Sequence, residues 1–139
     1  MDLMNGLTLA YIGDSYYELK IRLYLTNEVK LTKVDDLHKK AIKFTSSVAQ
    51  RKIIEYLMNE NMLCEDEIDD YKRGRNMSGP GRRNVDAQTY HMATGFESMI
   101  GGLYLRHLER CDEVIRHAIK FIEKGDFHGE SSEKNNDKF

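Results

Sequence analysis

The sequence predicts an all-α fold, a single helical bundle, and three observations support that prediction. Apolar residues recur with helical periodicity, and no segment of useful length shows the alternation that is typical of a strand. Only 1 proline and 10 glycines are present, which leaves little room for the turns of a β architecture. The length of 139 residues supports one compact domain with an adequate core.

Six helices are predicted along the chain. The second begins near Thr32, whose spacing to Asp35 gives a capping-box-like start. The predicted core residues of the second and third helices are Leu37, Ala41, Phe44, Val48, Ile53, Ile54, Leu57 and Met58. The other helices are expected to cover, approximately, residues 7–25, 47–59, 64–73, 88–108 and 112–124.

Two segments are expected to lie outside the helices. Gly74 is predicted to cap the fourth helix, and residues 74–86 form a glycine-containing loop that we expect to be mobile. Gly125 is predicted to end the last helix, so that residues 1–125 form the folded domain. Residues 126–139 are polar and poor in apolar side chains, and we expect a disordered tail there.

Cysteine usage and hydropathy favour a cytoplasmic protein with no membrane partner. No apolar run approaches the roughly 20 residues that span a bilayer, and the N-terminal residues lack the pattern of a secretory signal. Cys64 and Cys111 show no metal-ligand spacing, so buried thiols in a reducing compartment are favoured over a disulfide or a zinc site.

Basic side chains are concentrated in one short segment. The net charge of −2 gives no reason by itself to expect a nucleic-acid partner. Residues 72–83, however, read KRGRNMSGPGRR, with five basic side chains and no acid. A polyanion would therefore have to bind a local patch, and the alternative is a solvated basic loop. The basic residues of this segment are Lys72, Arg73, Arg75, Arg82 and Arg83.

Two predicted helices carry carboxylates next to glycines. The first reads LAYIGDSYYE, with Gly13 beside Asp14 and with Glu18 one turn later. The fifth places Glu97 among small residues, including three glycines, and each glycine destabilises an exposed helix by about 1 kcal/mol. Small residues on two helices permit close packing, which would bring Glu97 near Asp14 and Glu18 with partial burial. Oxygen ligands of this kind favour a hard cation such as Mg²⁺.

A second interpretation of the same residues remains open at this point. The acids are then unrelated surface charges, and the glycines serve helix packing alone. Two acids on one helix and one on another do not form a specific motif.

Five motifs, in order, resemble the ribonuclease III family. LAYIGDSYYELKIRLYL is similar to the family signature, and DAQTYHMATGFESMIGGLYL to its second acidic motif. DLHKKAIKFTS, YKRGRN and TYHMATGFE resemble the short Mini-ribonuclease III branch. The resemblance covers about residues 5–124.

The resemblance implies an all-α ribonuclease III-like endonuclease domain, without a double-stranded-RNA-binding domain, that forms a homodimer. It implies Mg²⁺-dependent cleavage of double-stranded RNA, with Mn²⁺ as a substitute ion and 5′-phosphate products. The implied substrate is the precursor of large-subunit (23S) ribosomal RNA, trimmed at both ends, and a large-subunit ribosomal protein is a candidate partner.

The resemblance also assigns roles residue by residue. Asp14 and Glu97 match the two acids that hold metal in the family, and both would be catalytic. At two further positions where the family carries acids, this sequence has Ala10 and Thr94 instead. Glu18 matches a position that is often acidic without being a core ligand. We expect Glu18 and Thr94 to act through water.

Double-stranded RNA is recognised through shape, phosphate and 2′-hydroxyl groups. The basic residues of the segment 72–83 suit contacts to its backbone. Lys39 and Lys40 are further candidates, with an ordinary exposed helix face as the alternative. His38 is interpreted as a structural histidine.

Two rival functions remain. One is a catalytically silent protein of the same fold that binds double-stranded RNA, although the retention of Asp14 and Glu97 argues against it. The other is a metal-dependent hydrolase of small phosphate esters, which would leave the basic segment without a role.

The expected dimer would form through the first helix and its neighbours. Apolar side chains lie on more sides of this helix than the core of one protomer can bury. The residues expected at that interface are Leu9, Tyr11, Ile12, Tyr16 and Leu19.

Overall fold

A computed structural model describes residues 5–80 and 85–133, with side chains as far as residue 125. The described residues form six α-helices and no strand, which confirms the all-α prediction. The helices are α1 (Gly6–Asn27), α2 (Val34–Thr45), α3 (Ser47–Asn59), α4 (Glu65–Met77), α5 (Ala87–Arg106) and α6 (Leu108–Glu133). None of these helices combines the length and the apolar character that crossing a membrane requires.

Helix α5 lies at the centre of the bundle. It packs on α1 and α4 and also contacts α3 and α6. Its buried face supplies Phe96, Met99 and Ile100 to one continuous apolar core. Burial of such side chains contributes about 1.5–3 kcal/mol each, so this core is the main source of stability.

Side chains cap three of the helix starts. Asn5 accepts a hydrogen bond from the backbone N–H of Thr8 at 2.9 Å, and Ser46 accepts one from Ala49 at 3.1 Å. Asp86 caps α5 by accepting from the backbone N–H of Thr89 at 2.9 Å. Helix α2 differs from the prediction, because its N-cap is Lys33, which makes no side-chain cap. The capping box expected from Thr32 is therefore wrong.

Three further predictions about helix ends and the core are wrong. Gly74 lies inside α4, which continues to Met77, because α5 packs against it: an added Cβ would overlap the Ser98 side chain. Helix α6 begins at Leu108 and continues through Gly125 into the segment 126–133. Val48 is 54% exposed and does not belong to the core.

Both cysteines are free, in agreement with the prediction of unpaired thiols. Cys111 is buried, and this burial raises the pKa of its thiol to about 12. Cys64 is exposed at the start of α4, so its predicted burial is wrong.

Candidate active site

The two carboxylate-bearing helices meet backbone to backbone. A Cβ added at Gly13 would overlap the carbonyl oxygen of Glu97, and one added at Gly101 would overlap that of Leu9. Helices α1 and α5 therefore approach each other as closely as only glycine permits. The predicted close packing of these helices is confirmed, and it sets the backbone of Asp14 next to the turn of α5 that carries Glu97.

The acids at this junction differ in exposure. Asp14 is exposed, whereas Glu97 and Glu18 are partly buried. Within the described part of the chain, Asp14 makes no hydrogen bond or ion pair, so its charge is open to a ligand from solvent. The expectation of partial burial is wrong for Asp14 and holds for the other two.

Glu18 has a partner on its own helix. Its carboxylate accepts a hydrogen bond from the Arg22 guanidinium at 3.3 Å. Both side chains line a groove of about 350 Å³ between α1 and α2, together with His38. Among the described residues, no three His, Cys, Asp or Glu side chains gather closely enough to hold a metal ion. The expected gathering of three carboxylates is therefore not formed.

Ala10 and Thr94, which replace acids of the family, are both buried. Thr94 is 7% exposed, and its hydroxyl donates to the backbone carbonyl of Tyr90 at 3.0 Å. Ala10 is 6% exposed. Neither position offers a negative charge.

Three basic residues lie on the last turns of α4. Lys72 is exposed. Arg73 donates to Asp70 at 2.8 Å, and the Arg75 guanidinium lies 5.4 Å from the centre of the Tyr71 ring. Arg75 was expected in a loop and is instead held on a helix, because α4 extends past Gly74.

The other predicted RNA contacts divide into three groups. Arg82 and Arg83 lie outside the described residues. Lys39 is exposed on α2. Lys40 forms an ion pair of 3.1 Å with Glu123 of α6, so its ammonium already has a carboxylate partner.

Two acid–arginine clusters on α4 were not predicted. The buried Asp70 carboxylate is bound by Arg73 and also by Arg106. The buried Glu67 carboxylate accepts from Arg110 at 2.8 Å. Burial raises the pKa of Glu67, and the hydrogen bonds from Arg110 and from the backbone of Cys64 outweigh that effect, so the net pKa is lowered.

No local pattern in the sequence reveals these two clusters. The paired residues of the Arg106–Asp70 and Arg110–Glu67 contacts are 36 and 43 positions apart. The helical spacings that predict side-chain pairs extend over three or four residues only.

Comparison with known proteins shows which family the chain resembles. The ribonuclease III domain model matches residues 7–107. The chain is 44% identical to the Mini-ribonuclease 3 of Acholeplasma laidlawii, over 91% of this chain and 100% of that protein. It is 43% identical to the Mini-ribonuclease 3 of Clostridium tetani, over 93% of this chain and 89% of that protein. A crystal structure of a Fusobacterium nucleatum protein superposes with a TM-score of 0.73 and 29% identity, covering 84% of this chain and 92% of that one.

The domain match and these relatives, together with the all-helical fold, define an endoribonuclease. The chain belongs to the ribonuclease III family of endoribonucleases, and within it to the Mini-ribonuclease III branch.

Proposed function

We propose that this protein is a Mg²⁺-dependent enzyme that cleaves double-stranded RNA, with Asp14 and Glu97 as its metal ligands. The observation that carries the proposal is the contact between Gly13 and the backbone of Glu97, which brings the two helices together beside an exposed carboxylate. The donor set fits the ion, because Mg²⁺ prefers oxygen ligands and binds through one or two carboxylates with several waters.

The four polar side chains at the α1–α5 junction divide into two metal ligands and two residues that orient water. A divalent cation bound there supplies positive charge to the phosphate and lowers the pKa of water. Asp14 and Glu97 hold that charge at the glycine junction, and Glu18 and Thr94 orient water around it. Because Ala10 and Thr94 add no negative charge, we expect weak cation binding, in the millimolar range, until phosphate oxygens complete the ligand set.

The basic face of α4 is the proposed contact with the RNA backbone. Lys72 and Arg75 are available at the end of this helix, and Arg82 and Arg83 follow in the chain. The remaining candidates are Arg73, Lys39 and Lys40. Arg73 and Lys40 are already bound to carboxylates, so phosphate must compete with Asp70 and Glu123 for them.

A homodimer is part of the proposal. Helix α1 exposes Tyr11 at 78% and Leu19 at 50%, and apolar exposure of this size on one helix favours a covered face. Leu9 was also expected at that interface, and this expectation is wrong because Leu9 is buried in the protomer core. The partly buried Ile12 and Tyr16 remain candidates. A two-fold axis would present one site to each strand of a duplex.

The biological substrate that we propose is the precursor of 23S ribosomal RNA, matured at its 5′ and 3′ ends, with a large-subunit ribosomal protein as a partner. Resemblance to the Mini-ribonuclease III branch supports this choice. The proposed compartment is the cytoplasm.

Cleavage of a long RNA duplex on a denaturing gel tests the proposal. We expect cleavage that requires millimolar Mg²⁺ and that Asp14→Asn or Glu97→Gln lowers by at least about 1000-fold, since each removes a ligand charge without changing shape. Glu28→Gln, an exposed acid at the end of the same α1, is the control and should keep parental activity.

Duplex binding, measured by gel shift, should survive both ligand substitutions. Activity within tenfold of the parent in either variant would overturn the site. Binding without any cleavage by the parent would instead support the silent RNA-binding alternative.

A further inference from the structure

The C-terminal end of α4 is fastened to α5 through one hydroxyl group. Ser78 caps α4 immediately after Met77. Its Oγ lies 3.0 Å from the backbone carbonyl of Arg75 and also contacts Nδ1 of His91, which lies on α5. This contact joins residues that are 13 positions apart, across the segment that carries Arg82 and Arg83.

The two contacts fix the direction of both hydrogen bonds. A carbonyl oxygen only accepts, so the single proton of the Ser78 hydroxyl is donated to the Arg75 carbonyl. With that proton used, the contact between His91 and Ser78 is a hydrogen bond in the tautomer whose Nδ1 carries a proton and donates to Ser78 Oγ. Both the neutral Nδ1–H tautomer and the imidazolium have this donor, so the contact does not depend on the charge of His91.

The other end of the same segment is also held. Asp86 accepts hydrogen bonds from the backbone N–H and the hydroxyl of Thr89, both at 2.9 Å. Arg51 of α3 donates to the Thr89 hydroxyl at 2.8 Å and lies 3.8 Å from Asp86. Side-chain contacts therefore fix the chain both where it leaves α4 and where it enters α5. His91 makes the contact at the end of α4.

We propose that His91 is a positioning residue for RNA binding, which it serves by donating from Nδ1 to Ser78 and fixing the last turn of α4. This turn carries Arg75, and both Arg75 and Ser78 lie within the basic segment 72–83. The inference rests on the proposed contact between this surface and RNA. His91 is partly buried.

Substitutions that move or remove the donor test this role. His91→Asn keeps an N–H donor at nearly the position of Nδ1, whereas His91→Phe keeps a ring and removes the donor. We expect His91→Phe and Ser78→Ala to raise KM for a short RNA duplex about threefold to tenfold, the effect of one hydrogen bond. The kcat at saturating RNA should stay within twofold, and His91→Asn should recover most of the parental KM.

A double variant and a remote control complete the experiment. Ser78→Ala combined with His91→Phe should raise KM no more than either single change, because both remove the same contact. His117→Gln on α6 should leave KM unchanged. A fall in kcat with unchanged KM, or equal KM values for His91→Phe and the parent, would overturn the positioning role. Loss of the proposed function would show differently, as a parent that does not cleave duplex RNA at all.

Discussion

Carboxylates on the two sides of helix α5 differ in burial and in whether an arginine pairs with them. Toward α4 and α6, the acids Glu67 and Asp70 are 4% and 3% exposed, and arginines bind both of them. Toward α1, Asp14 is exposed and makes no ion pair within the described residues, and Glu97 is partly buried. Glycines permit close packing on both faces, but only the first face pairs its buried acids with arginines.

The difference separates structural acids from acids that can bind a ligand. A buried carboxylate is tolerated only when charged or polar groups satisfy it, and arginine does this with two parallel hydrogen bonds. At the α1–α5 junction, helix packing needs no acid at all, because Gly13 and Gly101 provide the contact. The charge of Asp14 therefore has no structural role that we can identify, which favours a ligand as its partner.

Arg110→Met is expected to show the largest stability effect on the paired face. It leaves the Glu67 carboxylate buried without its guanidinium, and breaking a buried pair destabilises by about 3 kcal/mol. Arg116→Met, an exposed residue of the same α6, is the control and should change the free energy of unfolding by less than about 0.5 kcal/mol. Urea unfolding measures both, and a loss below 1 kcal/mol for Arg110→Met would contradict a structural role for this pair.

Gly13→Ala tests the unpaired face. The new Cβ would overlap the Glu97 carbonyl, and overpacking of this kind destabilises by about 1–3 kcal/mol. Because the same atoms position Glu97, cleavage should fall even at temperatures where the variant remains folded. Gly125→Ala is the matched control: nothing lies within 4 Å of its added Cβ, so a more stable helix, by about 0.5–1 kcal/mol, is expected. Equal thermal stability of both variants would refute the close-contact argument.

The sequence alone predicts much of this architecture, since apolar periodicity marks all six helices. It also predicts the contact between α1 and α5, because small residues on two helices indicate close approach. The ends of α4 and α6 are not predictable in the same way. Gly74 resembles a C-cap locally, yet it is a packing residue under α5, and only the tertiary structure distinguishes these roles.

The candidate site shows the same limit. Gly13 and Glu97 could be paired from the small residues around them, and Glu18 and Arg22 from their i, i+4 spacing. The groove that Glu18 and Arg22 line depends instead on how α1 and α2 pack. The Arg110–Glu67 contact depends on how α4 and α6 pack, and no periodicity encodes that arrangement.

The smallest expected effect is a pH dependence that belongs to the paired face alone. The pKa of Glu67 is lower in the folded protein than its ordinary value of 4.5. The folded state therefore binds fewer protons there than the unfolded state, so stability from this group is present above that ordinary value and is lost as the pH falls through the folded pKa. Glu67→Gln removes the titration while keeping the side-chain shape.

We expect the parent to be more stable than Glu67→Gln at pH 7, by about 1 kcal/mol or more, as for a hydrogen bond between charged groups. The gap should narrow as the pH falls below 4.5 and through the lowered pKa of the folded state, because protonated Glu67 resembles glutamine. Asp14→Asn is the counterpart on the other face, and its free energy of unfolding at pH 7 should stay within about 0.5 kcal/mol of the parent, because no described side chain pairs with Asp14. Urea titrations from pH 3 to pH 7 measure all three proteins. A gap for Glu67→Gln that does not change with pH, or a loss of more than 1 kcal/mol for Asp14→Asn at pH 7, would remove the distinction between the two faces.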